Sequence, residues 1–163
     1  MKIQTCCFTG HRHLSNEEQA ELVPTLDRYL QALCDLGCTE FRVGGALGFD
    51  TLAAQRVLLL REKHPACHLH MILPCRDQEA RWSLEERIAY RRVLERANRI
   101  TYVQEKYTQG CMYMRNRALV DGSDVVIAYL KHGKGGTAYT CRYAEKQGVR
   151  VINTYADQLS MPI

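Results

Sequence analysis

Glu40-Phe41-Arg42-Val43-Gly44-Gly45-Ala46-Leu47-Gly48-Phe49-Asp50, running on into Thr51–Lys63, decides the fold. Glu40–Val43 reads as a strand that stops at Gly44-Gly45. Thr51–Lys63 reads as a helix with Asp50 as its N-cap. The same strand, glycine, helix order recurs on both sides. Upstream, Ile3–Thr9 is a short apolar run ending at Gly10. The capping box Ser15-Asn16-Glu17-Glu18 then opens a helix with Leu22, Leu26, Leu30 and Leu33 at helical spacing and a stop at Gly37. Downstream, His68–Leu73 is a strand closed by Pro74, and Ser83-Leu84-Glu85-Glu86 opens a charged helix to about Asn98. Ile100–Val103, Asp124–Leu130 and Val149–Asn153 read as strands, and Met112–Val120 and Thr137–Gln147 as helices. Strands alternating with helices predict crossovers, a mostly parallel central sheet and a three-layer α/β/α domain.

The chain has 163 residues, and with no internal repeat or linker it reads as a single domain over 1–163. It is 46% hydrophobic and 25% charged, which excludes a disordered chain. The net charge is +4 with a pI of about 8.6, a mild excess that suits an anionic ligand. A dedicated nucleic-acid binder would carry a pI above about 9 and a basic stripe. Met1–Thr9 does not read as a signal peptide, and the longest aliphatic run, Val57–Leu60, is far below the ~20 residues of a membrane span. A cytoplasmic protein with no membrane partner is expected. Its eight cysteines then read as reduced thiols that mostly pack. No paired C-x2-C motif is present, so no metal is expected.

Parallel sheets bind ligands outside the carboxyl ends of their strands. Three such ends carry unusual chemistry: Thr9-Gly10-His11-Arg12-His13, Gly44–Asp50, and Lys131-His132-Gly133-Lys134-Gly135-Gly136-Thr137. Glycines there let backbone amides approach a ligand, and a following helix offers free N–H groups to a phosphate. None is a Walker A loop or a dinucleotide fingerprint. Two further segments are candidates. Arg115-Asn116-Arg117 suits a phosphate or ribose clamp. Gln78 and Trp82 lie in a polar loop, where Trp82 either stacks on a base or packs the loop down.

Phe8-Thr9-Gly10-His11-Arg12, Gly44–Asp50, Leu73-Pro74 with Gln78 and Trp82, Cys111 with Arg115–Arg117, Val120-Asp121 with Ser123-Asp124, and Gly135-Gly136-Thr137 through Ala144 occur in this order. Together they resemble the YpsA-like family of the SLOG superfamily, a Rossmann-like group related to the LONELY GUY and DprA proteins. The resemblance implies a bacterial-type Rossmann-like domain that binds or senses a nucleotide or nucleotide derivative of the ADP-ribose kind, with no cofactor required. The ligand-binding residues expected are Gly10, Arg12, Gly44, Gly45, Ala46, Gly48, Asp50, Gln78, Trp82, Arg115, Asn116, Gly135, Gly136 and Thr137.

An alternative is a phosphoribohydrolase, with Arg115 and Asp50 as catalytic candidates. The hydrolases it would resemble carry a glutamate where this chain has Thr140. Cleaving an N-glycosidic bond needs such a carboxylate, so a binding role leads. A DprA-like single-stranded DNA binder comes third: Arg87, Arg91, Arg92, Arg96 and Arg99 interleave with Glu85, Glu86 and Glu95, which reads as a solvated helix. Nucleic acid is therefore not expected as a partner, while a homo-oligomer is expected by analogy. Cys111 is the one cysteine with a candidate redox role, because arginines lie close in sequence.

Overall fold

Strands and helices alternate without exception along the described part of the chain. The computed structural model describes residues 2–155; Met1 and residues 156–163, although assigned to the domain above, lie outside them. In order come β1 (Thr5–Gly10), α1 (Asn16–Asp35), β2 (Glu40–Val43), α2 (Phe49–Lys63), β3 (His68–Leu73), α3 (Leu84–Arg96), β4 (Arg99–Tyr102), α4 (Cys111–Val120), β5 (Val125–Tyr129), α5 (Gly136–Lys146) and β6 (Arg150–Asn153). All strand pairs are parallel, in the order β4-β3-β2-β1-β5-β6. This is the expected three-layer Rossmann-like α/β/α domain, with a sheet that is wholly parallel among the described strands.

Alternation along the central strands divides the core in two. Cys6, Phe8, Val125, Ile127 and Tyr129 face α1, α2 and α3. Cys7, Val126 and Ala128 face α4 and α5. A strand covered on both sides must be apolar at every position, which is why β5 reads as one continuous run. The strand order reverses between β1 and β5, and their carboxyl ends part there to enter different loops. Ligands of doubly wound sheets bind at such a point.

Several boundaries differ from expectation, for local reasons. Asp124 does not extend β5, because its Oδ2 accepts the amides of Gln4 and Thr5 at 2.9 and 3.0 Å and fixes the start of β1. Leu130 leaves β5 because both its backbone groups pair with the side-chain amide of Asn153. The charged helix α3 stops at Arg96, and Asn98 beyond it accepts the Leu69 amide through Oδ1. Asp50 is not the N-cap of α2. Gly48 holds that place, at φ 73°, and its carbonyl accepts the Leu52 amide. A Cβ on Gly48 would lie 2.2 Å from the carbonyl oxygen of Arg12, so only glycine lets this loop close against the loop after β1.

Candidate functional site

A cavity of about 650 Å³ opens where β1 and β5 part. The loop after β1 is tied to its neighbours through one residue. The His11 carbonyl accepts the Phe49 amide at 3.1 Å, and its Nε2 accepts the Lys131 amide at 2.9 Å. The second bond requires a neutral ring, stacked on His132 at 4.5 Å. Burial and the neighbouring His132 and Lys131 lower the His11 pKa and favour that state.

The inner wall is a buried polar group. Arg115 is 4% exposed; its Nη1 donates to the Gly44 carbonyl, and its Nε donates to Asn116 Oδ1 at 2.8 Å. Gly44 makes room for this, because a Cβ there would sit 2.8 Å from Nη1. Asp50 projects beside Arg115, with Oδ2 accepting the Ala46 amide at 3.1 Å. Burial pushes the Asp50 carboxyl up to about 6, partly offset by the attraction of Arg115 and by the Ala46 amide. It is the carboxylate that faces the cavity among the described residues.

The outer wall is cationic and rich in free amides. α1 and α3 are closed by serine capping boxes, whereas α5 begins on Gly135, at φ 93°, with no side-chain cap. Gly136 and Thr137 of its first turn line the cavity with Arg12 and Lys134. Unsatisfied amides and the positive end of the dipole favour an anion there. Lys131 also lines the wall, but its Nζ is paired with Glu18 Oε2 at 2.6 Å, and that oxygen also accepts from the Tyr129 hydroxyl at 2.7 Å. These two hydrogen bonds, with the Ser15 amide, hold the Glu18 carboxyl down at about 2.

Of the expected ligand-binding residues, Gly10, Arg12, Ala46, Asp50, Arg115, Asn116, Gly135, Gly136 and Thr137 meet at this cavity. The others stand behind it or elsewhere. Gly44 holds Arg115, Gly48 closes the loop, and the Gly45 carbonyl accepts from Gln78 Nε2 at 3.4 Å. Gln78 also donates to the Tyr90 hydroxyl, and Trp82 packs edge-on against Tyr90 at 5.1 Å. Thr140 donates to the Gly136 carbonyl within its own helix at 2.8 Å. Arg117 donates to the Tyr139 hydroxyl outside the cavity, and Cys111 is fully buried away from it. Cys34 and Cys67 bring their sulfurs to 3.6 Å, and no trio of His, Cys, Asp or Glu among the described residues is arranged to hold a metal. His132 lines the cavity from the Lys131–Thr137 loop singled out above, and Tyr113 lines it although no role was expected of it. Tyr113 stands two positions before the Arg115-Asn116-Arg117 clamp, and an aromatic ring that close to two arginines was the available signal.

The YpsA model, of the YspA SLOG family, matches residues 6–159. The uncharacterized SPbeta prophage-derived protein YoqJ of Bacillus subtilis is 30% identical over 119 residues, 66% of this chain and 70% of its own. A UPF0398 protein of Halalkalibacterium halodurans is 28% identical over 74% of this chain and 66% of its own. DNA processing protein A from Helicobacter pylori, described for its single-stranded DNA binding mode, superimposes with a TM-score of 0.65 at 23% identity. That superposition covers 92% of this chain and 64% of that one. The X-ray structure of TM1055 gives 0.60 at 18% identity over 99% and 82%. The structural likenesses show the fold, and this chain spans about two thirds of the H. pylori protein. No helix among the described residues is long and apolar enough to cross a membrane. By the match that covers nearly its whole length, the chain belongs to the YspA SLOG family.

Proposed function

We propose that the cavity at the β1/β5 switch point binds a nucleotide or a nucleotide derivative of the ADP-ribose kind. The observation that carries this reading is the wall formed by the uncapped first turn of α5 with Arg12 and Lys134, facing a buried Arg115. The free amides of Gly136 and Thr137 take a phosphate, the Arg12 guanidinium neutralises it, and Asn116 orients the sugar. Arg115 keeps Asn116 and the Gly44 loop in position. The cavity volume lies within the range of about 300–1,000 Å³ of small-molecule sites. All eight cysteines are free, which supports a cytoplasmic setting.

Mass spectrometry of ligand released from freshly purified protein, followed by calorimetry with the compound found, tests the reading. Arg12→Ala removes an exposed cation that makes no hydrogen bond or ion pair to a described residue, so the fold is expected to persist. The loss of a charge-assisted phosphate contact of about 1.5–3 kcal/mol is expected to weaken binding by roughly 10- to 150-fold. Unchanged affinity overturns the clamp.

A specific observation favours hydrolysis as a second reading: Asp50 is a buried carboxyl with its pKa raised to about 6, facing the cavity. Such a group can pass a proton at neutral pH. Incubation with AMP and ADP-ribose and chromatography of the products decides it, since product that vanishes in Asp50→Asn makes the protein an enzyme. The H. pylori structure keeps single-stranded DNA as an outcome to test. Affinity that falls steeply with salt would support DNA, and no binding at low salt would end that reading.

A further inference from the structure

Beside the cavity a second groove of about 640 Å³ runs between the first turns of α4 and α5. Both depressions are lined by Tyr113 and Gly135, so one continues into the other across the N-terminal end of α5. The groove presents aromatic rings and positive charge together. Tyr113 meets Tyr139 edge-on, with centroids 4.6 Å apart at 72°, and Tyr139 lies nearly parallel to Tyr143 at 11°. Arg117 Nη1 donates to the Tyr139 hydroxyl at 2.8 Å, which fixes the guanidinium beside the ring. Arg142 Nη1 donates to the Gly133 carbonyl at 3.2 Å. Both helices start on glycine, Gly110 and Gly135, without a side-chain cap. No Asp or Glu lines the groove; Asp121, just past the C-terminal end of α4, accepts from the Tyr143 hydroxyl.

Tyr113 is 46% exposed, so its ring is open to an occupant of the groove. Aromatic faces beside arginines suit a nucleobase with an adjoining phosphate, because every base offers a π-face and the guanidinium attracts the anion. Trp82, the other aromatic candidate for a base, is engaged with Tyr90 away from both depressions. We infer that the groove is the subsite for a second base, so that the ligand is of the dinucleotide class, two nucleoside units joined through phosphates that cross Gly135. This rests on the nucleotide reading of the cavity, which holds the first unit.

The test is calorimetry of NAD+, diadenosine diphosphate and AMP against wild type, Tyr139→Ala, Tyr139→Phe, Arg117→Ala and Arg12→Ala, with thermal melting to confirm that each variant folds. At least one dinucleotide is expected to bind wild type about 10-fold tighter than AMP. Tyr139→Ala and Arg117→Ala are expected to remove that advantage and leave AMP within about twofold, and Tyr139→Phe to fall between. Arg12→Ala is expected to weaken all three probes. Dinucleotides no tighter than AMP, or groove variants that weaken AMP equally, overturn the subsite and leave the cavity reading standing. AMP binding unaffected by Arg12→Ala overturns the cavity reading instead. If no probe binds wild type, both fall. A single-stranded oligothymidylate that displaces the dinucleotide and loses affinity in the groove variants makes the surface a nucleic-acid track and overturns the proposal.

Discussion

Gly44 and Asp50 show how much depends on single atoms in the inner wall. A methyl group on Gly44 meets the Arg115 guanidinium at 2.8–3.0 Å, so Arg115 must shift against the Gly44 carbonyl that holds it. Gly44→Ala is expected to cost about 1–3 kcal/mol in chemical denaturation and to weaken ligand binding, because Asn116 loses its partner with Arg115. Asp50 makes a separate prediction about pH. Its folded pKa of about 6 lies above the ordinary aspartate value of 3.8, so the native state holds a proton that the unfolded chain has already released. The stability this contributes is present below pH 3.8 and is lost as pH rises through 6. Denaturation of wild type and Asp50→Asn across that window is expected to show wild type losing ground steadily from pH 4 to 6.5. A constant difference would mean that Asp50 titrates normally.

At the scale of elements, Glu18 joins two functions that the sequence presents separately. As the third residue of α1 it closes the capping box with Ser15, and the same carboxylate holds Lys131 of the loop after β5. Its pKa of about 2 lies below the ordinary glutamate value of 4.5, so its contribution is present above pH 4.5 and is lost as pH falls toward 2. Acid titration by circular dichroism is expected to show this loss in wild type and not in Glu18→Gln, while Ser15→Ala costs about 1 kcal/mol at neutral pH. Local chemistry made both capping boxes, the strand–helix alternation and the glycine turns readable from sequence. Glu18 shows where that stopped: the capping box accounted for it completely, and its partner lies 113 positions away. Trp82 shows the same limit, since its contact with Tyr90 depends on how α3 settles against the loop after β3. The edges of the site that rest on backbone, Gly10 and Gly135–Thr137, were legible because glycine after a strand has few other uses.

For the whole molecule, the cavity lies across the junction of two halves: β1–α3 supplies Arg12 and Asp50, and α4–α5 supplies Arg115, Asn116 and Thr137. A ligand there bridges both halves and stabilises them together. At a concentration of 100 Kd it adds about 2.7 kcal/mol, and a domain of this size gains about 2–4 °C per kcal/mol, so Tm is expected to rise by roughly 5–10 °C in a single transition. A split transition would locate the ligand in one half only. The central position of β1 has a kinetic meaning as well. It pairs with β2 nearby and with β5 some 119 positions later, and Asp124 holds its first amides. A growing chain therefore makes its first strand long before the second neighbour exists. Until β5 emerges, one flank of β1 remains an open template for other chains, and so do the residues Cys7 and Ile72 that α4 and α5 later cover. Sheets closed so late fold slowly and are most exposed to aggregation while they are being synthesised.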